Sequence, residues 1–344
     1  MAKEKQTGGK KRITGARIAK EIRQYKKDVF LSPMYTTFCV ILEILIPYLT
    51  ASIIDKGIAV GDMGHVARIG ALMAVMAVLA MFCGMRAGIH SARASTGLAS
   101  NLRESMFARI QDYSFSNIDK FSTAGLVTRL TTDVTNIQNA FQMLLMICTR
   151  APVTLIVALF MAFSISAKLS LIFLAAMAFL AVMLIIFIPK AMGYFKQMFK
   201  KYDKVNGVVK ENVGAIRVVK AFVREDYEDQ KFSDAAGELF QNSISAERII
   251  SFNMPIMQLT VYSCILLISW FGAKMIVNQT GLTTGELTSL LSYVMNILMS
   301  LMMLSMVLVM VTQSAAAAQR IEEVLEEQPD ITSPETAVKN VRDG

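Results

Sequence analysis

Six stretches of this chain are apolar over about 20 consecutive residues, the length a helix needs to cross a hydrocarbon core of ~30 Å. They lie near Pro33–Ile54, Val66–Met85, Met143–Ser164, Leu169–Pro189, Ile250–Val277 and Leu287–Val311. Lipid offers no partner to an exposed backbone N–H or C=O, so runs of this length are predicted to be helices. The fold class follows: an all-α integral membrane protein with six transmembrane helices. Composition agrees, since 54% of residues are hydrophobic and only 18% are charged, well below the charged share of soluble domains.

The links between the spans alternate. Asp55–His65, Ile165–Lys168 and Asn278–Glu286 are short, whereas Arg86–Gln142 and Lys190–Ile249 are long. The first long link carries six basic residues and the second ten over Lys190–Glu247, against Lys56, Lys168 and Lys274 in and beside the short ones. Excess Lys and Arg marks the cytoplasmic side, so both termini and both long links are expected inside, in a plasma membrane. The net charge of +8 does not call for nucleic acid. Ten of the 35 basic residues precede position 28, where they read as an anchor at an anionic leaflet.

Neither long link contains proline and both show helical periodicity. Each is predicted to be a helical hairpin that continues two spans into the cytoplasm, turning near Ser116–Thr123 in the first and within Val218–Glu228 in the second. Val219, Phe222 and Val223 are expected to form an apolar tip on the second. An exposed apolar tip on a charged stalk needs a partner surface; the alternative is that Phe222 folds back on its own hairpin. In the first link, Leu126, Leu130, Val134, Ile137 and Phe141 recur every three or four residues, the stripe of an amphipathic helix. Gly125 reads as the break before it. Thr128, Arg129, Thr132, Asp133 and Asn136 fall on the water-facing side, with Arg129 and Asp133 one turn apart and able to pair.

Ile18, Ile22, Tyr25 and Val29 form a further stripe among basic residues, predicted to be an interfacial helix on the inner leaflet. Residues 1–30 are thus a basic arm plus interfacial helix, residues 31–328 the membrane domain, and residues 329–344 a linker expected to lead into a further domain. The sixth span is predicted to extend inward as helix and to stop at Pro329.

Within the spans, Glu43 lies near the bilayer midplane, where a carboxylate is costly and faces a cavity or a partner. It is a candidate for substrate contact or for pairing with Arg150, itself a cavity candidate that could instead snorkel to the nearer inner boundary. Met295, Met299, Met302, Met306 and Met310 share one face of the sixth span. Flexible, polarisable Met suits ligands of varied shape, but ordinary packing between helices uses Met too. Gln142, Asn253, Gln258 and Asn296 read as hydrogen-bonders between helices. Cys39, Cys83, Cys148 and Cys264 sit in apolar segments without metal spacing and read as small core residues.

Four motifs, in order, resemble the transmembrane domain of type I ABC exporters: IIDKGI (Ile53–Ile58), FSTAGLVTRLTTDV (Phe121–Val134), VKENVGAIRVVKAFVREDYEDQKF (Val209–Phe232) and the AAAAQRIEEVLEEQPDI segment from Ala315. The likeness covers about residues 14–344 and, with RAP at Arg150–Pro152, is similar to bacterial multidrug-type half-transporters. The resemblance implies that each hairpin tip is a coupling helix seated on an ATP-binding domain. Asn117, Asp119, Phe121, Gly125, Arg129 and Asp133 then belong to the first coupling region, and Val219, Phe222, Val223, Arg224 and Glu225 to the second. It implies that the second hairpin crosses to a partner subunit's ATPase, and that a second half-transporter completes a homodimer or heterodimer. It also implies that the sixth helix lines the cavity for a drug, lipid or peptide.

A phosphate loop, G-x-x-x-x-G-K-[ST], cradles nucleotide phosphates with backbone amides and a lysine. The only Gly-Lys pair here is Gly9-Lys10, followed by Lys11. No catalytic, metal or cofactor residues are therefore predicted in these 344 residues, and ATP and magnesium are expected on a nucleotide-binding domain outside them. A six-span channel or secondary transporter is the alternative, but the long hairpins would then have no purpose. Cysteines introduced into Asp55–His65 or Asn278–Glu286 should be labelled by an impermeant thiol reagent from outside intact cells, and Phe222→Cys should not. Labelling at position 222 contradicts this topology.

Overall fold

The computed structural model describes residues 16–330. The side chains at 16, 184, 188, 191, 192, 195, 196, 199, 249, 250, 253, 305, 306, 308, 309 and 311–313 fall outside that description. The basic arm before residue 16, the linker after residue 330, and the side chains of Asn253 and Met306 thus lie outside the described residues.

The described chain is helical throughout. α1 (Ala16–Lys20) and a 3-10 turn (Arg23–Tyr25) lead into α2 (Lys26–Ser52), which widens into a π turn at Ile53–Ile58. α3 (Met63–Gln111) follows, then two short helices, α4 (Phe115–Phe121) and α5 (Thr123–Thr128). A second π turn at Arg129–Asp133 passes into α6 (Val134–Ile165). α7 (Ala167–Gly214), α8 (Ile216–Ala221), α9 (Glu225–Val277) and α10 (Thr284–Glu326) complete the order. Six helical segments are long and apolar enough to cross a membrane, one for each expected span. α3 has 49 residues and α9 has 53; at 1.5 Å per residue they reach about 73 and 80 Å. A hydrocarbon core of ~30 Å leaves more than half of each outside it, so the long links are helix extensions.

The chain forms two compact units, one running up to Ala158 and resuming at Met299, the other Leu159–Leu298. In the first, α2 lies close against α3. Cys39 donates through its thiol to the Ala80 carbonyl at 3.3 Å, and the Ser32 hydroxyl donates to the Ala87 carbonyl at 3.1 Å. Small residues such as Ala87, Ala94 and Ala99, each at most 3% exposed, permit that approach. Beyond the apolar window, α3, α6 and α10 build an apolar core of their own from Leu102, Met106, Val134, Ile321 and Val324.

The N-terminal segment departs from expectation. It is not one helix, because Arg23 adopts φ 41°, a left-handed conformation that an α-helix excludes. Part of its apolar stripe packs on protein: Ile18 belongs to the same buried core and Ile22 packs against it. Tyr25 explains a glycine on α3, since a Cβ at Gly97 would lie 2.2 Å from the Tyr25 ring.

In the second unit, α7 and α9 are antiparallel and tied by Lys201–Glu238 at 2.7 Å, Lys204–Glu238 at 3.0 Å and Lys231–Glu211 at 2.9 Å. Lys201 and Lys204 hold the Glu238 carboxyl below its ordinary range, and Lys220 does the same for Glu225. A lowered folded value means these carboxylates stabilise the hairpin above the ordinary carboxylate range and lose that contribution as pH falls through the lowered values. Being exposed, they contribute little each.

Filling the Gly97 contact should release the N-terminal segment. Gly97→Leu is expected to speed amide exchange over residues 18–25 while α7 and α9 keep their protection. Unchanged exchange at residues 18–25 would show that Tyr25 does not depend on that gap.

Candidate functional site: the hairpin tips and an intramembrane ion pair

The turn of the first hairpin is set by Ser122, whose φ of 58° interrupts the helix between α4 and α5. The expected break at Gly125 is thereby corrected: Gly125 lies inside α5 and donates its N–H to the Ser122 hydroxyl at 3.1 Å. A Cβ at Gly125 would lie 3.0 Å from that oxygen, so the cap explains the glycine.

The π turn after α5 revises the electrostatics. An extra residue per turn shifts the following side chains around the helix axis, and Asp133 turns inward to 1% exposure instead of facing water. Its partner is not Arg129 but Arg320 of α10, which grips both carboxylate oxygens at 2.8 and 2.5 Å. This bidentate geometry is the strongest form of a guanidinium–carboxylate pair. Arg129 instead reaches Glu323 at 3.1 Å, donates to the Arg320 carbonyl at 2.9 Å, and lies 4.8 Å over the Phe121 ring.

The contacts continue to the end of α10. The Tyr113 hydroxyl donates to the Val324 carbonyl at 2.6 Å, and burial, with Glu327 nearby, pushes its phenol up. Lys120 pairs with Glu327 at 2.7 Å. Asn117, 2% exposed, donates to Glu327 at 3.1 Å and to the Gln328 carbonyl at 3.2 Å. Ser116 donates to Asp330. The first tip is therefore pinned along its length to the final two turns of α10 and the residues after it. Asp119 points outward, exposed, and Phe115 is 87% exposed.

Sequence reasoning missed Tyr113, Lys120, Arg320, Glu323 and Glu327. A signal was present: Arg320, Glu323 and Glu327 are spaced by three and four, a polar stripe on one helical face.

The second tip is built differently. Val219 is buried at 9% exposure, which corrects its expected place on the apolar surface. Phe222 and Val223 are 74% and 80% exposed, so Phe222 does not fold back. Val223 also takes φ 51°, a conformation costly for a β-branched residue. Arg224 precedes α9, whose first turn carries Glu225, Asp226 and Glu228, favourable at a helix N-terminus.

Within the spans, Glu43 and Arg150 pair at 2.5 Å, each side chain 41% exposed. The Cys39 sulfur, whose one S–H is shared with the Ala80 carbonyl, lies 3.4 Å from the same carboxylate. Met295 and Met299 are 50% and 58% exposed, Met302 and Met310 half-buried. Gln142 accepts from the Ser95 hydroxyl at 3.5 Å across helices, as expected of it, whereas Asn296 bonds within its own helix at 3.1 Å.

Burial makes the two partners of the main ion pair unequal. Arg320→Ala strands a buried Asp133 carboxylate and should cost about 3–5 kcal/mol. Asp133→Ala frees a half-exposed Arg320 and should cost less, about 1–3 kcal/mol. Asp133→Leu with Arg320→Leu should recover most of the loss in thermal unfolding. Equal losses, or no recovery in the double variant, would contradict a buried pair.

The family model for the ABC transporter transmembrane region matches residues 29–321. The chain is 32% identical over 289 residues to the uncharacterized ABC transporter ATP-binding protein YfiB of Bacillus subtilis, covering 84% of this chain and 50% of that protein. An uncharacterized ABC transporter ATP-binding protein of Mycobacterium tuberculosis is 29% identical over 320 residues, 93% of this chain and 55% of its own. The ATP-dependent lipid A-core flippase of Desulfotalea psychrophila is 23% identical over 239 residues, 70% of this chain and 42% of its own. The chain thus spans about half the length of the curated relatives it matches. With six membrane-crossing helices, two long helical hairpins and a family match along nearly its whole described length, the chain belongs to the ABC transporter transmembrane family.

Proposed function

We propose that this chain is the membrane half of an ATP-driven exporter that moves hydrophobic or amphipathic substrates out across the plasma membrane by alternating access. Nucleotide-binding domains seat on the two hairpin tips from the cytoplasmic side, and a second half-transporter completes the dimer. ATP and magnesium reside on those domains, and no step of hydrolysis is assigned to these 344 residues. The observation that carries the reading is the second tip. Phe222 and Val223 are exposed, and Val223 is strained as well. Strain of this kind, at roughly 1–3 kcal/mol, persists where function requires it, and a groove on a partner would bury both residues.

The first tip supports the same reading in a different manner. Asn117, Lys120, Arg129 and Asp133 bind it to α10, so a push on Asp119 or Phe115 moves α6 and α10 together as a rigid body. Glu43, Arg150 and the Met295–Met299–Met302–Met306–Met310 face are the proposed substrate contacts. A lipid flippase among the relatives favours an amphipathic cargo.

The test uses the chain together with its nucleotide-binding domains. Phe222→Ala and Val223→Gly should each lower substrate-stimulated ATP turnover and transport, by about tenfold or more if Phe222 is an interface hot spot. Val223→Gly relaxes the backbone, so its loss of activity cannot be attributed to unfolding. Met299→Ala should change which compounds stimulate turnover while leaving basal turnover intact. Full transport in both tip variants would remove the reading.

A further inference from the structure

At the opposite end of the second unit from α8, the start of α7 and the end of α9 enclose a cleft of about 380 Å³. Lys168 and Lys274 line it beside Asn278 and Thr280, and no carboxylate is among the lining residues. Neither lysine has an ion-pair partner among the described residues. Lys168 sits in the first turn of α7, where the helix dipole adds positive potential. The other wall is apolar: Leu169, Ile172, Phe271 and Met275.

An open, mostly apolar face of α9 continues from the cleft, sharing Lys274 and Asn278 and running past Trp270 and Leu266 to Tyr262. Twelve residues of helix span ~18 Å, close to the ~15 Å depth of one leaflet's hydrocarbon. A cationic, hydrogen-bonding cleft beside an apolar helix face one leaflet long matches a molecule with an anionic head and a fatty tail. Free phosphate would use only the cleft.

We propose that this cleft holds the phosphate of an anionic phospholipid between Lys168 and Lys274, with an acyl chain lying along the Trp270 face of α9. With the chain oriented as proposed above, the lipid belongs to the outer leaflet and fixes the outer ends of α7 and α9 to the headgroup layer. The site itself requires only that these helices lie in a bilayer. A failure of the orientation shows in thiol labelling, and a failure of the site shows in lipid preference, so the two are separable.

Trp270 is the one tryptophan of the chain and lies on that face, so its fluorescence reports this position alone. The full 344-residue chain is reconstituted in phosphatidylcholine bilayers carrying either brominated phosphatidylglycerol or brominated phosphatidylcholine. Each lysine near the surface favours an anionic lipid by on the order of fivefold, so quenching should report roughly five- to thirty-fold enrichment of phosphatidylglycerol at the site. Lys168→Gln with Lys274→Gln should abolish the preference, while Lys168→Arg with Lys274→Arg and a Lys56→Gln control should keep it. Equal quenching by the two lipids in the unaltered chain overturns the proposal without recourse to any variant. So does a preference that survives the glutamine pair. Relief of quenching by inorganic phosphate, beyond that of chloride at equal ionic strength, would assign the site to a free anion instead.

Discussion

Asp133 is a carboxylate with almost no access to water, and its burial constrains the whole first unit. An ionised group in that position is tolerable only with its hydrogen bonds satisfied. Arg320 satisfies them with a bidentate grip, and thereby sets the register of α10 against α6. From that register the neighbouring contacts follow: Arg129 to Glu323, Tyr113 to the Val324 carbonyl, Lys120 and Asn117 to Glu327. Apolar residues on the same faces, Val134, Ile321 and Val324, then close around them without exposure. A hydrophobic core alone would allow the helices to slide, whereas a buried ion pair admits one alignment.

On the proposed function, the two tips divide the labour of a mechanical linkage. The first is internally committed, with its polar side chains spent on α10, so it carries displacement without absorbing it. The second is uncommitted. Its exposed Phe222 and strained Val223 have no use within the hairpin, and the ion pairs along α7 and α9 keep that hairpin straight behind them. A stiff lever and an exposed contact surface are what the proposed function requires of the two tips.

The six spans were legible because the bilayer imposes one length and one composition on every crossing helix. Glu43 and Arg150 were legible for a related reason: each charge in lipid demands a partner, and few are on offer. The first hairpin was legible as helix and illegible as electrostatics. The expected Arg129–Asp133 pair assumes 3.6 residues per turn, and the π turn at Arg129–Asp133 breaks that assumption. Nothing local announces it; it arises because Arg320, far along the chain, rewards the inward turn of Asp133. The same holds for Val219, buried by α8's fold at the tip, and for Arg23, whose left-handed backbone lets Tyr25 reach the space left at Gly97.

On the proposed function, the first tip and the end of α10 move as one body when nucleotide binds. Spin labels at Asp119→Cys and Gln319→Cys, both exposed positions, test it in the assembled transporter with its native cysteines replaced. Pulsed dipolar distances between them should be narrow and the same with and without ATP, even as labels at the outer ends of the spans separate. A distance that shifts or broadens on ATP binding would show that the tip slides on α10, and the rigid linkage would be wrong.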